Sequence, residues 1–302
     1  MRVCLIQLDG PIMNLALGKI ASYHISKGDA VGLGLDEPDR VYRSAIFSET
    51  ANAFRGQRTL HDCPTIDGGY AFNDCQLPRR IEYLRPAYSV WGVDYSLGYT
   101  SRGCIRKCAF CVVPRMEGKI HNNQPIEAFH DPGHKRLILL DNNFFASPNW
   151  RSNIQYIQDN GLRVNFNQGL DARIMTPEVA GILADLSYYD WKFRNRAVYF
   201  AWDQPEEEAR VCLGLKMLLD AGVNPEHIFV YVLVGFNSTF EEDLYRCNTL
   251  IYELGVHPYV MRYDGARGDR RLNALARWAN RPANHRHHSF EDYLTQPGRA
   301  IA

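Results

Sequence analysis

From residue 93 onward the chain alternates between segments that read as strands and segments that read as helices, and no other feature restricts the fold as much. Apolar runs at 135–141, 163–167, 197–202, 227–234 and 256–262 have strand length. Between them, 149–160, 176–186, 206–221 and 238–254 have helix length. Thr176 and Pro177 suit an N-cap and a first helical position, and Gly161, Gly222 and Gly255 follow three of the helices as stops. With 93–99 as the first strand, the pattern predicts six strands running one way with helices packed outside them. The first crossover, 121–134, is the least regular. Six such units are too few to close an eight-stranded barrel.

The loop after the first of these strands reads Ser101-Arg102-Gly103-Cys104-Ile105-Arg106-Lys107-Cys108-Ala109-Phe110-Cys111. Three cysteines at C-x3-C-x2-C spacing can converge on one metal centre. A closed structural zinc site needs four protein ligands. Iron–sulfur clusters are held by cysteine thiolates, in most cases four, so a triad leaves one iron open for another ligand. The competing reading is a zinc knuckle completed by His121, His130 or His134. Cys63 and Cys75 lie too far apart for an auxiliary cluster and read as unliganded. Cys212 and Cys247, in predicted helices, read as small core residues.

The cysteine spacing, with Phe110 before the last cysteine, resembles the signature of the radical S-adenosylmethionine (SAM) enzymes. The resemblance implies that Cys104, Cys108 and Cys111 ligate a [4Fe-4S] cluster whose fourth iron binds the amino and carboxylate groups of SAM. Reductive cleavage would then yield a 5′-deoxyadenosyl radical that abstracts hydrogen from a substrate. It also implies a low-potential electron donor such as a flavodoxin or ferredoxin. Six β/α units match the open (β/α)6 partial TIM barrel of that family.

Every strand of the predicted barrel ends in polar residues, and ligands of parallel α/β folds meet those ends. The ends are Asp141-Asn142-Asn143, then Asn165, Asn167 and Gln168 continuing to Asp171 and Arg173, then Trp202-Asp203, Gly235-Phe236-Asn237 and Arg262-Tyr263-Asp264. Singly, each reads as a cap or turn. By resemblance, Asp141 and Asn143 stand where the family holds the SAM amino group. Arg173 would meet the SAM carboxylate as a bidentate donor, and Gly235 would let backbone approach adenine. Gln168 and Asp203 are candidates for ribose or substrate contacts, and Phe110 for the cofactor's surroundings. Arg106 and Lys107 read as a solvated stretch of the cysteine loop.

Ahead of the barrel, 3–8, 30–35, 41–47 and 65–70 read as strands and 14–27 as a helix, an order that argues a doubly wound unit. Residues 11–17 and Gly68-Gly69 resemble the cobalamin-binding-type Rossmann domain that precedes the barrel in one group of radical SAM enzymes. That group's Asp-x-His-x-x-Gly cobalt motif has no match, so the piece reads as a reduced, cobalamin-free domain, with His24 and His61 as ordinary polar or packing residues. The predicted division is 1–90, a small Rossmann-like α/β domain; 91–264, the barrel; and 265–302, a basic helical tail.

The tail carries Arg267, Arg270, Arg271, Arg277, Arg281 and Arg286 around Trp278. It suits either a contact to a nucleotide or nucleic-acid substrate or a helix that closes the barrel's open side with its arginines in water. Equal numbers of acidic and basic residues give a formal net charge of zero, so no global field favours nucleic acid or membrane. No apolar run is long enough to span a bilayer, and the eight cysteines form no regular disulfide array, which suits a reducing cytoplasm. The expectation is a cytoplasmic radical SAM enzyme. Its rivals are a radical methyltransferase or methylthiotransferase acting on nucleic acid and a non-catalytic iron–sulfur or zinc binding module.

Overall fold

The structure, a computed structural model, describes residues 1–57, 63–72, 76–296 and 298–299. His61 and Cys75 lie outside the described residues. The chain is an α/β protein whose defined parallel pairs build two compact units, one of residues 1–100 with 123–138 and the other of residues 101–122 with 139–302. The Rossmann-like piece expected over 1–90 lies wholly in the first unit, and the tail from 265 lies in the second. Among the described residues, no helix is long and apolar enough to cross a membrane.

In the first unit β1 (Arg2–Gln7) leads into α1 (Leu15–Ile25), followed by β2 (Ala30–Leu33), β3 (Arg40–Ser44) and β4 (Thr65–Gly68). The strands lie in the order β2-β1-β3-β4, all parallel, the start of the flavodoxin-like doubly wound order. Asn14 caps α1 by accepting from the Leu17 N–H at 3.1 Å. The helix buries Leu17, Ile20 and Ala21 on Val3 and Leu5 of the central strand. His24 is buried and bonded to Asp29 at 2.7 Å and to the Tyr42 hydroxyl at 3.1 Å, a tie between helix and sheet. A later strand of this unit, β5 (Tyr95–Gly98), lies beside β6 (Arg136–Leu139), which hands its last residue to the second unit. The irregular crossover holds one helical turn, Ile126–Phe129.

The second unit continues with α2 (Trp150–Asp159), β7 (Arg163–Phe166), α3 (Pro177–Asp185), β8 (Val198–Ala201), α4 (Glu208–Asp220), β9 (Ile228–Val234), α5 (Phe240–Asn248), β10 (His257–Arg262), α6 (Arg270–Ala279) and α7 (Phe290–Thr295). The strands β8, β9 and β10 are parallel neighbours. The Asn167 N–H bonds the Leu139 carbonyl at 2.9 Å and the Leu170 N–H bonds the Tyr199 carbonyl at 2.7 Å, so the strand ends follow one another in chain order. Along β9, Ile228, Val230, Val232 and Val234 are buried, while Phe229, Tyr231 and Leu233 stand half-open on the other face, the period-2 alternation of a strand.

The basic tail is a covering element. From α6, Leu272, Leu275 and Trp278 are buried, and the Asn280 side chain bonds both the N–H and the carbonyl of Val260, at 2.6 and 3.1 Å. That amide occupies backbone groups which an edge strand would otherwise leave unpaired. Trp278 is fully buried with its ring N–H on the His288 carbonyl at 3.0 Å, so it is a core anchor and not a surface contact for phosphates. Cys247 is likewise in the core, whereas Cys212 is only half-buried.

Candidate functional site

Cys104, Cys108 and Cys111 are free thiols, each half-buried, on a loop with a rigid base. Gly103 sits at φ +76°, and a Cβ there would lie 2.5 Å from the Lys119 carbonyl oxygen, so only glycine fits. Glu117 gathers the base by accepting from the Arg102 guanidinium at 2.8 Å, the Gly103 N–H at 2.8 Å and the Asn142 amide at 2.7 Å. Asp141, 3% exposed, accepts from both the N–H and the hydroxyl of Ser101 at 2.6 and 2.7 Å. Asp141 and Asn142 therefore hold the cysteine loop in place.

Asn143 points the other way, into the loop. Its amide nitrogen lies 3.8 Å from the Cys104 sulfur and donates to Asp171 at 3.2 Å, while its side-chain oxygen is buried and finds no partner among the described residues. Asp171 is a hub. One oxygen takes the backbone N–H and the guanidinium of Arg173 at 3.1 and 2.6 Å, and the other takes Arg106 at 3.0 Å. Arg106 is partly exposed, and its guanidinium ties the cysteine loop to the turn after β7. Arg173 also donates to Glu207, whose second oxygen is buried and unpartnered. The turn 172–174 that aims Asp171 and Arg173 is pressed by α4 at Gly214, where a Cβ would collide with the Ala172 carbonyl.

Burial works to raise the Asp171 carboxyl, but the hydrogen bond and charge of Arg173, with those of Arg106, outweigh it and hold the group below the usual carboxylate range. Asp203 behaves oppositely. Burial pushes it up to about 6, only partly offset by the Arg173 charge and by the N–H of Leu233. Burial also raises the Cys108 and Cys111 thiols, against the Arg173 charge at Cys108 and the Val113 and Val112 N–H groups at Cys111. Metal binding there must displace thiol protons. The Arg106 N–H reaches the Cys104 sulfur at 3.3 Å. Three thiols on one loop, with N–H donors at Cys104, fit the kind of donor set that iron–sulfur clusters use.

Aromatic contacts reach the loop from the last strands. Phe110 meets Phe236 edge-on at 5.6 Å, and Phe236 meets Tyr263 at 4.8 Å. Gly235, at φ +73°, gives its N–H to Asp243 at 3.2 Å, and a Cβ there would lie 2.5 Å from the Ala266 Cβ. The close approach it permits is taken by the chain's own segment after β10. Gln168 is exposed, and none of the site's hydrogen bonds runs through it.

Glu117, Glu207 and the hub role of Asp171 went unseen in the sequence. Glu117 pairs with Arg102 across 15 residues and Glu207 with Arg173 across 34, so no local window of sequence announces either bond. The three candidate histidines of a zinc knuckle each carry a hydrogen bond through one ring nitrogen: His121 to the Lys119 carbonyl, His130 to the His134 carbonyl, and His134 to the Ser96 hydroxyl. Among the described residues, no three His, Cys, Asp or Glu side chains converge on a single-ion site.

No protein-family model matches the chain, and comparison with curated proteins finds no match.

Proposed function

We propose that the chain is a radical SAM enzyme, with Cys104, Cys108 and Cys111 holding a [4Fe-4S] cluster at the mouth of a partial (β/α)6 TIM barrel. When bound, the cluster would supply the electron that cleaves SAM, and the resulting 5′-deoxyadenosyl radical would take a hydrogen atom from the substrate. The observation that carries this reading is the convergence of successive strand ends on one cysteine loop. Asn143 reaches Cys104, Asp171 holds Arg106, the Asp203 charge acts on Cys108 and Cys111, and Phe236 packs on Phe110.

The chain's own groups divide the work. The buried Asn143 oxygen, lacking a donor, suits an ammonium such as the SAM amino group. Asp171 balances the two arginines nearest the sulfurs. Asp203, whose carboxyl burial pushes up to about 6, is the chain's candidate for holding or releasing a proton. The reading implies a flavodoxin or ferredoxin as electron donor and a reducing, cytoplasmic setting for the thiols.

The test is anaerobic reconstitution with iron and sulfide, reduction, incubation with SAM and assay of 5′-deoxyadenosine, with Cys104→Ala beside the wild type. The expected result is an iron–sulfur absorption band and deoxyadenosine from the wild type alone. Zinc in the anaerobically purified protein, with no cluster on reconstitution, would overturn the proposal.

A further inference from the structure

The half-open face of β9 continues across its neighbours. Register pairs Tyr231 with Tyr259 and Leu233 with Met261 on β10, and Ala201 of β8 with Tyr231. Tyr199 and Tyr231 stack at 5.4 Å with 15° between their rings, and Tyr259 stands edge-on to Tyr231 at 5.6 Å. Tyr259 and Met261 are 42% and 48% exposed although the opposite face of β9 is buried. The strip passes through Tyr263 and Phe236 to Phe110 in the cysteine loop. From Tyr259 to Tyr263 it spans about 13 Å at the rise of a strand, the length of one bicyclic ring with a substituent.

Charge selects among molecules of that size. Arg106 and Arg173 are bound by Asp171 and Glu207. Among the described residues Asp203 forms no ion pair, and it follows Trp202, whose N–H bonds the Tyr231 carbonyl at 2.8 Å, so it stands at the end of β8 beside the strip. A carboxylate without an ion-pair partner beside tyrosine faces repels phosphate and favours N–H donors. Resting on the radical SAM reading, we infer that the substrate is a small planar heteroaromatic ring, carrying an N–H donor and no phosphate, stacked on the Tyr259 strip with its donor on Asp203. A nucleoside base and an indole share this chemistry.

The test is calorimetric titration of the cluster-loaded protein, with SAM held saturating, using guanosine, guanosine 5′-monophosphate, indole and cyclohexylamine. Either guanosine or indole binds, which also tells the two sources apart. The monophosphate binds more weakly than guanosine, and cyclohexylamine does not bind. Tyr259→Ala and Asp203→Asn each weaken the ring's affinity about tenfold, while Tyr259→Phe, which keeps the ring, retains it. Tyr259 is exposed, so its loss opens no core. Failure of both rings to bind, tighter binding of the monophosphate, or unchanged affinity in Tyr259→Ala and Asp203→Asn overturns the inference. Binding is read without turnover. Ring binding with no deoxyadenosine in any condition sinks the enzyme reading and leaves this one standing; deoxyadenosine formation with neither ring bound does the reverse.

Discussion

Replacing Asp171 by Asn should loosen the cysteine loop, and the size of the effect follows from its neighbours. The carboxylate is 5% exposed and meets Arg173, 8% exposed, and Arg106, 26% exposed. Removing one partner of a buried pair costs about 3–5 kcal/mol because a charge is left uncompensated. Here Arg173 keeps Glu207 and Arg106 can reach water, which places the cost at the low end, about 3 kcal/mol. At roughly 2–4 °C per kcal/mol for a unit of this size, the melting temperature at pH 7 should fall by roughly 6–12 °C. The assay is calorimetry of wild type and Asp171→Asn from pH 7 to pH 3. The folded carboxyl titrates below its ordinary value of 3.8, so its contribution is present above that value and lost as pH falls through the folded one. The gap between the two proteins should therefore close toward pH 3. A difference under about 1 °C at pH 7 would refute the claim that the hub carries the loop, and a gap that persisted unchanged at pH 3 would show that shape, not charge, is responsible.

Two further outcomes follow from local geometry. Gly103→Ala meets both a positive φ and the Lys119 carbonyl, so thermal unfolding should show a loss of about 2 kcal/mol, and iron content after reconstitution should drop with it. His285, 3% exposed with both ring nitrogens unpartnered and packed on His257, is pushed by burial down to about 4. A neutral buried base gives full stability above its unfolded value of 6.5 and loses it as acid charges the unfolded chain, by about 3 kcal/mol near pH 4. In His285→Phe that acid loss should shrink in melting curves taken between pH 7 and pH 4; an unchanged slope would assign the acid sensitivity elsewhere.

The elements were legible because their periods are local. The alternation that reads as a strand at 227–234 is the burial pattern of β9, and Thr176-Pro177 does open α3, with the Thr176 hydroxyl taking the Val179 N–H at 3.2 Å. The amphipathic spacing of Leu272, Leu275 and Trp278 was equally local, yet the arginines around Trp278 suggested a surface role that its burial rules out. Site roles were less legible since they depend on partners far along the chain. Arg106 finds Asp171 at 65 residues' separation, Asp141 finds Ser101 at 40, and Arg173 finds Glu207 at 34. Nothing in a window of sequence tells a carboxylate that anchors a loop from one that waits for a ligand.

The pairing of Arg106 and Arg173 with carboxylates of the chain constrains what can bind at the cysteine loop. A ligand that competes for Arg106 or Arg173 must displace a carboxylate already in place, which makes anions poor candidates. The groups left over have the opposite polarity. The Asn143 oxygen and the second Glu207 oxygen are buried acceptors without donors, and an unsatisfied buried acceptor costs about 1–3 kcal/mol. A molecule that brings N–H groups to those two atoms recovers that energy on binding, as does one that donates to Asp203. The unpartnered acceptors and the paired cations point the same way: on the proposed reading, a ligand at the cysteine loop would be met through its ammonium or ring N–H groups, with the Asn143 oxygen and the Glu207 and Asp203 carboxylates as acceptors.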